Sequence, residues 1–236
     1  MKKWMLLMIA VCLMLTSCGK SGKDTGADTK APETTRTEPA AKPETAEPAE
    51  KQEPSVTVTP LPDTTMEDLK DAIVAVSLEE GDAYLDDTGK LQMKVKIYSY
   101  DKYDLAQITG LKVGDTIVPH AGEVKISTLE RGTGGSVIIN GGLEKGGLEL
   151  VTDESTFFYE IGFNDAKNWY EVGEATIRVS TDFRGCDSAD PKKGDVILYP
   201  GSFLVGEVTD YHFTPDNTTI RVENGQVVEM NRVYVP

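Results

Sequence analysis

Alternation with a period of two sets the character of this chain. Leu91, Met93, Val95 and Ile97 are apolar, and Gln92, Lys94, Lys96 and Tyr98 stand between them. That pattern predicts a strand with one buried and one wet face. Asp87-Thr88-Gly89 predicts the turn that feeds it. Near the C-terminus, residues 219–223 and 226–235 predict two strands joined by Asn224-Gly225, a dipeptide suited to the positive φ angles of a two-residue hairpin turn. Shorter strand-like runs cover 116–118, 123–129, 137–140, 156–161, 175–180 and 196–199, with glycine, Asp and Asn between them.

Helical spacing is confined to two places. Thr64-Thr65-Met66-Glu67 fits a capping box, after which Met66, Leu69 and Ala72 would share one face of a short helix. Asp104 is placed to cap a single turn through Ile108, ended by Gly110. The pattern therefore predicts an all-β domain, an antiparallel β-sandwich or partly open barrel with one short N-terminal helix.

The strand pattern starts abruptly. Residues 19–55 hold no aromatic residue and no Leu, Ile, Val or Met, so they offer nothing to bury. Pro32, Pro39, Pro43, Pro48 and Pro54 favour extended backbone, with a reach on the order of 100 Å. The segment reads as a disordered Thr/Pro/Glu/Ala linker. Its consequence is a division into 1–17, 18–56 and a single β-rich domain over 57–236.

Ahead of the linker, Lys2 and Lys3 precede an unbroken apolar run over residues 4–15. That run suits a secretory signal, whereas a membrane-spanning helix needs about 20 apolar residues. Leu15-Thr16-Ser17-Cys18 closes it, and the whole resembles the signal peptide and lipobox of bacterial lipoproteins. The resemblance implies cleavage before Cys18 and a diacylglyceryl group on its thiol, with acyl chains such as palmitate. Two chains make a stable anchor. The protein is then expected on a cell membrane, lipid-anchored and facing outside the cytoplasm, a layout that resembles lipoproteins of Gram-positive bacteria.

Charge narrows the partners. The chain carries 39 Asp and Glu against 24 Lys and Arg, a formal net charge of -15. Nucleic acid and other polyanions would be repelled at long range, so no nucleic-acid partner is expected. The expected partners are the membrane, through lipid on Cys18, and a glycan, an envelope polymer or another exported protein.

Candidate chemistry is sparse. Once Cys12 leaves with the signal and Cys18 carries lipid, Cys186 is the remaining thiol, and His120 and His212 are the whole supply of imidazole. Three such groups without His-x-His spacing make a poor zinc site. Arg184-Gly185-Cys186-Asp187 carries no cysteine-peptidase signature, and the aspartate would raise the thiol pKa. Asp182, Asp187, Asp190 and Asp195 are weak calcium candidates, because their spacing does not follow the EF-hand loop. Nucleophile elbows, phosphate loops and dinucleotide fingerprints are absent from the sequence. No cofactor and no enzymatic activity are expected. The alternative, an envelope hydrolase, would need a convergent carboxylate pair with one raised pKa.

Aromatic residues supply the positive expectation. The outward phase of the 91–97 strand continues to Tyr98 and Tyr100, with Tyr103 in the following loop, and Trp169 could join them. Rings on a wet face bury area on binding at low entropic cost. Tyr98, Tyr100, Tyr103 and Trp169 are therefore the expected contact surface of a non-catalytic binding or interaction module.

Overall fold

A computed structural model describes residues 54–235, apart from residues 64, 153–155 and 209. The signal segment, Cys18 and almost all of the linker lie outside the described residues, as does Thr64 of the expected capping box. Fifteen strands follow one another among the described residues. They are β1 (Thr57–Val58), β2 (Ala72–Ser77), β3 (Ala83–Leu85), β4 (Leu91–Ser99), β5 (Lys102–Asp104), β6 (Thr116–Ile117), β7 (Val124–Lys125) and β8 (Leu129–Arg131). After these come β9 (Val137–Ile139), β10 (Leu148–Thr152), β11 (Phe157–Glu160), β12 (Tyr170–Asp187), β13 (Val196–Leu198), β14 (Thr218–Glu223) and β15 (Gln226–Arg232). The domain is all-β.

Strand β4 has the expected two faces: Leu91, Met93, Val95 and Ile97 are buried, and Lys94, Lys96 and Tyr98 are not. On the wet side Lys94 pairs with Glu174 and Lys96 with Glu171, both on β12. The β14–β15 hairpin also forms as expected. Asn224 and Gly225 carry φ of 50° and 70°, so the turn follows the strand twist.

These strands belong to a ring. β2 pairs with β4, β4 with the first half of β12, the second half of β12 with β15, β15 with β14, and β14 with β2. Arg178 is the pivot, opposite Gln92 on one side and Gln226 on the other. A register shift between Val179 and Arg184 accompanies the change of partner. In chain order the cycle runs one, two, three, five, four, which is the strand order of OB-type barrels. Of the sandwich and the barrel, the barrel is what this part adopts.

The barrel interior is filled by Val76, Met93, Phe183, Ile220, Val227 and Met230 with their neighbours. Each such side chain contributes about 1.5–3 kcal/mol through burial. Short strands β3 and β13 extend the barrel sheet at its two ends.

Between β4 and β12 the chain leaves the barrel and builds a second layer. Its five-stranded sheet runs β5-β11-β10-β9-β8, beside a small sheet β1-β6-β7. Tyr103, Ile108, Ile117, Ile139 and Leu150 form a separate core there. Helix α1 (Leu105–Gly110) is the turn expected after Asp104, whose carboxylate accepts the Ala106 and Gln107 N–H groups. Arg131 closes its other end by donating to the carbonyls of Ile108, Thr109 and Leu111.

Three expectations need correction. The pairing is not purely antiparallel, because β12 with β15 and β1 with β6 run parallel. The N-terminal helix is a single 3-10 segment, Met66–Lys70, capped by Asp68 accepting from the Thr65 N–H and hydroxyl. Ala72 lies in β2, where Val74 and Val76 enter the barrel core, so an apolar period of two overrides the helical spacing.

Candidate binding site

The insertion departs and returns at one cross-strand pair, Ser99 opposite Tyr170. Residues flanking that pair are thereby brought together. Tyr100 follows β4 and Trp169 precedes β12, and their rings meet edge to face with centroids 4.9 Å apart. Tyr159 of β11 adds a third ring, 5.9 Å from Tyr100 and nearly perpendicular to it, and Phe157 a fourth, 6.3 Å from Tyr159. Edge-to-face pairs of this kind gain about 0.5–1.5 kcal/mol beyond their buried area.

Two lysines hold the cluster. Lys167 Nζ lies 4.4 Å from the Tyr100 centroid, 5.5 Å from that of Trp169 and 5.7 Å from that of Tyr159. Lys102 Nζ lies 4.8 Å from the Tyr100 centroid and 3.3 Å from a carboxylate oxygen of Asp63. Ammonium groups over ring faces are attracted by the ring quadrupole. Trp169 Nε1 donates to Asp216 at 2.7 Å, which fixes the indole orientation. Tyr100 and Trp169 border a recess of 250 Å³ whose walls also include Tyr98, Ser99, Lys102 and Lys167.

Tyr98, Tyr100 and Trp169 are half-buried and face this recess. Tyr98 also shares a hydrogen bond with Ser77, at 3.2 Å. Tyr103 does not belong here: it is fully buried in the second core, on β5 rather than in a loop. The physical reason is parity, because Tyr103 lies three positions after Tyr100 and an odd step along extended chain changes the face. Sequence reasoning missed Tyr159, Phe157, Lys102 and Lys167. The run Phe157-Phe158-Tyr159 carried a signal, since its alternation puts Phe158 in the core and leaves the other two rings outside. Lys102 carried one too, since it shares the phase of Tyr98 and Tyr100, and nothing local marked Lys167.

Behind the recess lies a buried polar cluster. Asp101 is 5% exposed and Glu160 4% exposed. One Asp101 oxygen accepts the His120 backbone N–H at 2.6 Å, and the Tyr103 hydroxyl stands 3.5 Å from it. Glu160 accepts from Asn168 Nδ2 at 2.7 Å. Burial pushes the Glu160 carboxyl above its usual range against the pull of the Asn168 hydrogen bond, and the Asp101 charge adds to the rise. Burial raises Tyr103 strongly and Tyr170 as well.

The remaining candidates do not assemble. Asp187 pairs with Arg232, Asp190 with Lys193, Asp195 accepts from Ser188, and Asp182 lines an outer groove. Among the described residues no three His, Cys, Asp or Glu side chains are grouped to hold a metal ion. Each of the four aspartates is thus spread along β12 and the loop after it rather than folded around one point. Cys186 is partly exposed, with Ser188 Oγ 3.5 Å from its sulfur, and His212 sits in an exposed contact with Asp210.

No protein family, curated protein or solved structure matches the chain. The reading of the site rests on its own geometry.

Proposed function

We propose that this protein is a membrane-tethered lipoprotein whose barrel binds an uncharged glycan outside the cytoplasm. The observation that carries the reading is the Tyr100–Trp169 pair, two rings bordering an open recess with the Lys102 and Lys167 ammonium groups beside them as donors. Pockets of this make-up combine apolar faces with a few placed polar groups, the combination that a sugar ring with its hydroxyls matches. The lipobox resemblance at Cys18 supplies the location, and the formal charge of -15 disfavours polyanions.

Barrels with this strand order bind oligosaccharides and oligonucleotides on the face of their second and third strands, here β4 and β12. That support is an analogy of topology only. The test is a glycan array probed with the mature chain, repeated on Tyr100→Ala and Trp169→Ala. Each change should weaken binding about 5- to 30-fold, as loss of a 1–2 kcal/mol aromatic anchor does. Wild-type binding by both variants would remove the platform.

One observation favours the hydrolase alternative: Asp101 and Glu160 are neighbouring carboxyls, one with a raised pKa. Their near-complete burial weighs against it, since neither oxygen pair is presented to a ligand from solvent. Hydrolysis of a bound glycan that stops in Glu160→Gln would restore that reading.

A further inference from the structure

The recess beside Trp169 continues along the barrel wall. Backbone pairing sets Tyr98 opposite Ala75, Ala75 opposite Thr219, Thr219 opposite Asn231, Asn231 opposite Cys186, and Cys186 opposite Ile197. This single row crosses β4, β2, β14, β15, β12 and β13. Its first three residues line the 250 Å³ recess and its last three an open groove of 660 Å³. At about 4.8 Å per strand, the row follows a curved path of roughly 24 Å around the outside of the barrel.

The row has the profile of a trough. Ala75 and Thr219 give its middle a low floor, while the rings of Tyr98, Tyr100 and Trp169 stand at one end. A second row runs alongside, with Ile73 opposite Arg221, Arg221 opposite Glu229, and Glu229 opposite Arg184. Arg221 is held there by Glu223 and Glu229. A hollow of 490 Å³ lies beside both: Ile73 lines it and the recess, and Arg221 and Asn224 line it and the groove.

Charge sets this band apart from the rest of the surface. Its walls carry Lys102, Lys167, Arg184 and Arg221 against Asp63, Asp71, Asp182, Glu223 and Glu229. On a strongly acidic protein the band is close to neutral, so it selects neither polyanion nor polycation. From β4 to β12 it lies on the face of the sheet, where strand backbones are already paired with each other, and it reaches an end strand at β13. An extended peptide adds to a sheet through free edge backbone, so the trough offers it none of that pairing. What it offers is side-chain hydroxyl, amide and guanidinium groups, the partners of a hydroxyl-rich chain.

We infer that the band is one extended site for an uncharged linear polysaccharide, which lies across the strands with one end on the Tyr100–Trp169 platform and the other at Asn231 and Arg184. The inference rests on the glycan reading of that platform and extends it from a single sugar to a polymer.

The test titrates the full chain, in detergent, with β-linked N-acetylglucosamine oligomers and β-linked glucose oligomers, from disaccharide to hexasaccharide. In one of these series affinity should climb with length by about tenfold or more. Cys186→Trp, which fills the far groove, and Asn231→Ala should bind the disaccharide like wild type and lose most of that gain, with Cys186→Ser as the conservative control. Trp169→Ala should weaken every length. A wild-type affinity independent of length, or a gain that survives in Cys186→Trp, overturns the extended site and leaves the platform standing. Unchanged disaccharide binding in Trp169→Ala overturns the platform itself. Failure of both hexasaccharides to bind overturns the inference, as does an uncharged extended peptide that binds in their place and is blocked by Cys186→Trp.

Discussion

The imidazole of His120 lies flat on the ring of Tyr170, centroids 3.8 Å apart and planes 3° from parallel. His120 belongs to the loop between β6 and β7, and Tyr170 opens β12, so the stack fastens the inserted layer to the barrel. Asp101 reinforces the same joint by accepting the His120 N–H. Glu160, held by Asn168, sits close enough for the Asp101 charge to raise its pKa.

That joint makes a pH prediction. A carboxyl whose folded pKa is raised binds its proton more tightly in the folded state, so stability falls as pH rises from the ordinary glutamate value of 4.5 through the raised one, and then levels off. Glu160→Gln removes the buried charge and keeps an oxygen for Asn168. It should raise the thermal midpoint at pH 7, with the difference shrinking below pH 4.5. A variant less stable than wild type at pH 7 would contradict the sign.

Burial of Tyr103 predicts a core phenotype rather than a binding one. Tyr103→Ala should cost about 3–5 kcal/mol in urea unfolding, as large aromatic deletions do. Tyr103→Phe keeps the ring and loses a hydroxyl whose partner is 3.5 Å away, so it should cost about 1 kcal/mol or less. Glycan affinity of the folded Phe variant should be unchanged.

The β14–β15 turn places Gly225 at φ 70°, with no neighbouring atom within 4 Å of a built Cβ. The cost of Gly225→Ala is therefore conformational and not steric, about 1 kcal/mol or slightly more. Chemical denaturation measures it directly. A neutral result would mean that the turn changes type to accommodate the side chain.

Lipid attachment is tested at Cys18. Labelled fatty acid should enter the wild-type protein and be lost from Cys18→Ser, which should also leave the membrane fraction. Equal labelling of the two would remove the tether from the proposed function.

Features carried by neighbouring residues were legible in the sequence. The alternation through β4, the Asn224-Gly225 hairpin and the Asp104 cap each depend on a few consecutive side chains, and each forms. β12 was visible only as residues 175–180 because its eighteen residues serve two partners and expose different faces along their length. Its parallel pairing with β15 joins residues far apart in sequence and leaves no local trace. The platform was half legible for the same reason. Tyr98 and Tyr100 follow from strand phase and Lys102 lies two residues on from Tyr100, whereas Lys167 and Trp169 meet Tyr100 only because the chain returns to Ser99 at Tyr170.

That return point gives the domain the plan of an exchangeable cassette. Ser99 and Tyr170 are cross-strand partners, so everything from 100 to 169 hangs from a gap that a short turn spans. The segment brings all of the buried second core except Val58 of β1, and most of the platform rings and both lysines come with it. A lineage could therefore trade one segment for another and change what is recognised, while the ring of β2, β4, β12, β14 and β15 went on folding as before.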